Sequence, residues 1–112
     1  MRSLKRFRNR AQRCFELAFL AMMREPAAEK FTLVHGTIRS AHFGSVVHAW
    51  IEIGDGRIWD PVTDVYMPTD EYLKKHGAVV ERRYTRAEAA RMQAANPRCA
   101  LWHRSDGAVL GS

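Results

Sequence analysis

The chain has 112 residues, a length that suits one domain built on one core. Hydrophobic residues make up 46% and charged residues 27%, a globular balance that excludes a disordered or collagen-like chain. Eighteen Lys and Arg against twelve Asp and Glu give +6, but Arg2, Lys5, Arg6, Arg8, Arg10 and Arg13 precede the first acidic residue, so the remainder is balanced. The basic character therefore belongs to an N-terminal arm, about residues 1–10, of a single domain spanning 1–112. Such an arm suits nucleic acid, an anionic surface or an acidic partner, or serves as a solvated helix start.

The longest apolar run, Leu17–Met23, falls far short of the roughly 20 residues that span a bilayer. Glu16 interrupts the signal-like stretch and no small-x-small cleavage site follows, so no signal peptide is expected. Two cysteines are too few for a disulfide framework, which favours a reduced, cytoplasmic setting.

In chain order, residues 11–24 (AQRCFELAFLAMMR) predict an amphipathic helix free of Gly and Pro. Asn9 and Gln12 fit a capping box that starts it at Arg10, with Ser3 as a rival start, and Pro26 ends it near Glu25. Ala11, Cys14, Leu17, Ala18 and Ala21 then share a face. Strands are predicted over 31–38 (closed by His35-Gly36), 45–53 and 57–60, the last two joined by Gly54-Asp55-Gly56 and the third stopped by Pro61. Thr69–His76 reads as a short helix closed by Gly77, and 78–84 as a strand. Thr85 and Glu88 form a capping box for a helix to Ala95, stopped by Asn96-Pro97. In the tail, Cys99–Trp102 either adds an edge strand or simply packs. The order implies an α+β fold with a mainly antiparallel sheet.

Cys14, His48 and Asp60 form the constellation suited to chemistry. A nucleophilic thiol must ionise, which a neighbouring imidazole and a helix N-terminus both favour. A carboxylate on the far ring nitrogen holds that imidazole in one tautomer. The same residue types could ligate zinc, but His35, His42, His76 and His103 lack metal spacing, no Gly-rich phosphate loop is present, and no metal or cofactor is expected. Cys99 reads as structural, and Glu81, Arg82 and Arg83 as a solvated strand face.

The hairpin decides whether His48 and Asp60 can meet. Val46, His48, Trp50 and Glu52 share one strand face. A two-residue turn puts Asp60 opposite Ile51, pointing away from His48. A three-residue Gly54–Gly56 turn puts it opposite Trp50, diagonal to His48. Gly56 supplies the left-handed position that the longer turn needs, so the three-residue register is predicted.

The segments RCFELAFLAM and VHAWIEIGDGRIWDPV, within about residues 9–62, resemble the papain-like cysteine hydrolase superfamily, most closely its transglutaminase-like branch. Residues 77–92 (GAVVERRYTRAEAARM) are similar to short bacterial and phage proteins of unassigned function with that core. The resemblance implies an N-terminal helix carrying the nucleophile Cys14, packed on a small antiparallel sheet, with His48 as base and Asp60 as orienting acid. It further implies attack on a protein or peptide amide, by a peptidase, deamidase or transamidase. The Cys14 backbone N–H, with the Gln12 side chain second, would form the oxyanion hole. Trp50 and Trp59 would wall the substrate cleft or fill the core. The alternative is an inactive scaffold that binds nucleic acid or an acidic protein through Arg2, Lys5, Arg6, Arg8 and Arg10.

Overall fold

The computed structural model describes residues 2–25, 28–98 and Trp102; the side chains of residues 2–12 and 28 lie outside that description. The expectations for Gln12, for the side chains of the basic arm and for Cys99 therefore fall outside the described residues. The fold is α+β. Helix α1 (Arg2–Arg24) is followed by strands β1 (Thr32–Ser40), β2 (Gly44–Glu52), β3 (Arg57–Asp60) and β4 (Val65–Pro68). Helix α2 (Thr69–His76), strand β5 (Val79–Tyr84) and helix α3 (Arg86–Ala95) complete it. The sheet has the order β4-β3-β2-β1-β5, and every pairing is antiparallel.

Most boundaries follow the residues that punctuate the sequence. Gly77, left-handed at φ 56°, closes α2. The Thr85–Glu88 capping box opens α3: each residue's side chain accepts the other's backbone N–H, at 3.1 and 3.0 Å. Three features differ from the sequence reading. Helix α1 begins at Arg2, so the basic arm continues the helix and the Asn9–Gln12 pair does not start it. His35-Gly36 lies inside β1, where the pairing with β5 slips by a bulge, and does not end the strand. Strand β4, at one sheet edge, had no sequence signal, being four residues long and ending in Pro68.

The sheet separates two apolar layers. Phe15, Ala18 and Met22 of α1 pack with Leu33, Ala49, Ile51, Tyr84, Ala89 and Trp102 on one face. The buried stripe of α1 is thus centred on Phe15, Ala18 and Met22, leaving Leu17 and Ala21 half-buried at its rim. The smaller layer, Val34, Trp50, Ile58 and Tyr72, brings α2 onto the opposite face. Trp102 joins the core, the packing alternative for the tail. His35 is fully buried among Phe15, Tyr84 and Trp102, with ring centroids 4.3–5.0 Å away.

Gly36 is where β1, β5 and the Trp50 ring meet. A Cβ there would collide with the Val79 carbonyl oxygen and lie 2.9 Å from the tip of Trp50. The first neighbour is backbone, which cannot rotate away. Gly36→Ala is therefore expected to lower the unfolding free energy by about 2–3 kcal/mol, read from urea denaturation, with an unchanged m-value.

Candidate active site

The β2–β3 hairpin positions two of the three residues singled out from the sequence. Ile51 pairs with Trp59 and Glu52 with Ile58, while the Ile53 N–H donates to the Arg57 carbonyl at 3.0 Å. Gly54, Asp55 and Gly56 form the loop, with φ of +97° at Gly54 and +88° at Gly56. This is the three-residue register. Continued by one pair it sets Asp60 opposite Trp50 and diagonal to His48.

The side chains meet accordingly. His48 Nε2 and Asp60 Oδ2 lie 2.9 Å apart, with the two residues 6% and 4% exposed. Asp60 is further held by the Val62 N–H, which donates to Oδ1 at 3.0 Å, and by the Tyr72 hydroxyl, which donates to Oδ2 at 2.7 Å. The partners of Asp60 thus come from β2, from the turn after β3 and from α2.

Helix α1 supplies the third residue. It lies chiefly against β2. The described β3 pairing stops at Ile51, so no β3 residue is paired with β2 at His48. Cys14, 6% exposed, lies close enough to His48 to influence its ionisation. With Nε2 directed to Asp60, Nδ1 is the nitrogen available to the thiol. The structure thus brings Cys14, His48 and Asp60 together.

Burial opposes charge on His48, but its hydrogen bond to Asp60 and its interactions with Asp60 and Cys14 outweigh this and raise its pKa from 6.5 to about 9. Burial likewise pushes Asp60 upward, and the hydrogen bond and charge of His48 more than reverse this, holding it below its ordinary value. The Tyr72 phenol is shifted well upward, chiefly by burial and then by Asp60, so it stays a donor. His76, whose ring packs on Tyr72 with centroids 4.6 Å apart, is shifted down by burial and by Lys75.

The oxyanion expectation is corrected, and so is the cleft-wall alternative for Trp50 and Trp59, whose core alternative stands. Because α1 starts at Arg2, Cys14 lies in the helix interior, where its N–H belongs to the intrahelical ladder and not to an oxyanion hole. Trp50 is fully buried between His48 and Tyr72, so it belongs to the core and offers no cleft wall. Trp59 sits on the opposite face from its strand neighbour Asp60. There it packs on the α1-side core, stacks on Tyr66 at 5.6 Å and donates its indole N–H to Asp64. It does not line the cluster. Tyr72 was missed, because nothing in residues 69–76 marks one aromatic of a short amphipathic helix as a carboxylate's partner.

No helix among the described residues is long and apolar enough to cross a membrane. Protein-family models, curated proteins and solved structures contain no match to this chain.

The raised His48 pKa makes stability fall with alkaline pH. The group binds its proton more tightly folded than unfolded, so its contribution is complete below about pH 6.5 and lost as pH rises through about 9. The depressed Asp60 contributes above the ordinary carboxylate pKa and is lost in acid. Urea denaturation between about pH 6 and 9.5 is expected to show a decline on the order of 2–3 kcal/mol. His48→Gln should largely flatten that slope.

Proposed function

We propose that this protein is a thiol-dependent hydrolase or acyl transferase acting on an amide bond, a small relative of the papain-like superfamily on its transglutaminase-like side. One observation carries the reading: the buried 2.9 Å contact of His48 Nε2 with Asp60, which leaves Nδ1 for Cys14. The substrate class is a protein or peptide amide. In this scheme His48 takes the Cys14 proton through Nδ1, and the thiolate sulfur attacks the amide carbonyl carbon. The imidazolium protonates the departing amine as the carbon–nitrogen bond breaks, leaving a thioester on Cys14. Water or an acceptor amine, deprotonated by His48, then attacks that thioester and releases an acid or a new amide together with the free thiol. Asp60 remains ionised and steadies the imidazolium.

The test is reaction of the thiols with iodoacetamide, mapped to Cys14 or Cys99 by mass spectrometry. At about pH 6 an ordinary thiol is almost wholly protonated. Cys14 in the intact protein is expected to alkylate at least about tenfold faster than in His48→Gln, in keeping with the worth of a positioned base. Cys14→Ala should abolish both the labelling at residue 14 and any amide turnover. Turnover that survives Cys14→Ala would overturn the proposal.

A second reading, a binding scaffold of the same shape, is favoured by the unbroken helix through Cys14, which engages the amide that an oxyanion hole would use. Its partner would be nucleic acid or an acidic protein, held by Arg2, Lys5, Arg6, Arg8 and Arg10. Removal of residues 1–8 should then abolish binding that weakens steeply with salt, and leave the Cys14 alkylation rate unchanged.

A further inference from the structure

Helix α2 is fixed at both ends and has one buried residue. Its first residue, Thr69, donates from its N–H and its hydroxyl to the Gly56 carbonyl, at 2.9 and 3.0 Å, tying α2 to the β2–β3 turn. At the other end Gly77 caps the helix, and the Ala78 N–H donates to the Leu73 carbonyl at 2.9 Å. Between these anchors Tyr72 is 1% exposed, packed against Trp50, and its hydroxyl reaches the same Asp60 oxygen that faces His48.

A carboxylate held only by the Val62 N–H on Oδ1 could swing its other oxygen off the imidazole. The Tyr72 hydroxyl closes that freedom. Resting on the Cys14–His48 reading above, we propose that Tyr72 is a positioning residue: its hydroxyl orients Asp60 so that His48 carries its hydrogen on Nε2 and turns Nδ1 toward Cys14. The phenol has one hydrogen, and it is given to Asp60, an acceptor on both oxygens. The hydrogen between Asp60 and His48 must then be the imidazole's own, which leaves Nδ1 as the position that takes up the thiol proton when the imidazolium–thiolate pair forms.

The experiment compares the intact protein with Tyr72→Phe, which removes one oxygen and keeps the ring. Proton NMR should show a downfield, slowly exchanging His48 Nε2–H in the intact protein, assigned by its loss in His48→Gln. In Tyr72→Phe that proton should move upfield and exchange at least about tenfold faster, as expected for loss of a hydrogen bond to a charged group. Alkylation of Cys14 by iodoacetamide should slow about tenfold near pH 6, where attack depends on His48, yet by less than about twofold near pH 10, above the ordinary thiol range. General loosening of the fold would alter both pH values alike. An unchanged Nε2–H signal together with an unchanged pH profile would overturn the role of Tyr72. If the intact protein shows no enhanced Cys14 reactivity near pH 6, the thiol reading fails, while the Nε2–H signal still decides for or against Tyr72. Should Tyr72→Phe not fold, 3,5-difluorotyrosine at position 72 keeps the ring and hydroxyl and makes a stronger donor. The His48 Nε2–H resonance is then expected to shift, and an unmoved resonance would overturn the assignment.

Discussion

The contact between His48 and Asp60 depends on the three residues Gly54, Asp55 and Gly56. One residue fewer in that turn would move every β3 side chain to the other face of the sheet, because strand side chains alternate with a period of two. Asp60 would then enter the layer beneath α1 and Trp59 would face α2. Gly54 and Gly56 both take φ values that favour glycine, so the loop length is written into local backbone preference. The same turn holds α2 through the Gly56 carbonyl. One local constraint therefore sets the hairpin register and anchors the helix that carries Tyr72.

The two faces of the sheet divide the work. The layer under α1 contains most of the buried apolar side chains, with Phe15, Met22, Leu33, Ile51 and Trp102 among them. Burial of this kind stabilises at about 25 cal/mol per Å² of apolar surface. The layer under α2 is smaller and shares its interior with a polar network. A buried ion pair rarely gains more from attraction than it loses in hydration unless its remaining lone pairs are satisfied. Here each Asp60 oxygen has a donor, and Oδ2 faces both Tyr72 and His48. The larger layer can thus tolerate the expense of the smaller one.

How much was legible in the sequence follows from which interactions are local. Gly56, Gly77, Pro61 and the Thr85–Glu88 pair act within a few residues, and the ends they mark stand in the structure. The meeting of Asp60 with the His48 face was legible for the same reason, since a hairpin propagates local turn geometry along its strands. Helix α1 was misread at its start because Asn9 and Gln12 have capping chemistry but also tolerate a helix interior, and residues 2–8 contain no breaker. Strand β4 is too short for a period to register, and its partner β3 supplies the pairing. Gly36 and Tyr72 owe their places to Val79 and Asp60, 43 and 12 positions away in the chain. No local pattern announces either.

The interior position of Cys14 alters the electrostatics of the proposed chemistry. A cysteine at a helix N-terminus gains from the free N–H groups and the positive end of the helix dipole, an effect confined to the first turn. Cys14 lies twelve residues beyond the start of α1, roughly 18 Å along the axis at 1.5 Å per residue. The dipole contributes little at that depth. In the proposed reading a thiolate at Cys14 must therefore be stabilised almost entirely by a protonated His48, with its pKa raised to about 9 through Asp60 and the thiol itself. Burial removes the solvent that would otherwise screen the pair, so small displacements of the imidazole change its attraction strongly. The carboxylate behind the ring thus needs firmer fixing here than beside a helix terminus, which is consistent with contacts to Asp60 from β2, the turn after β3 and α2.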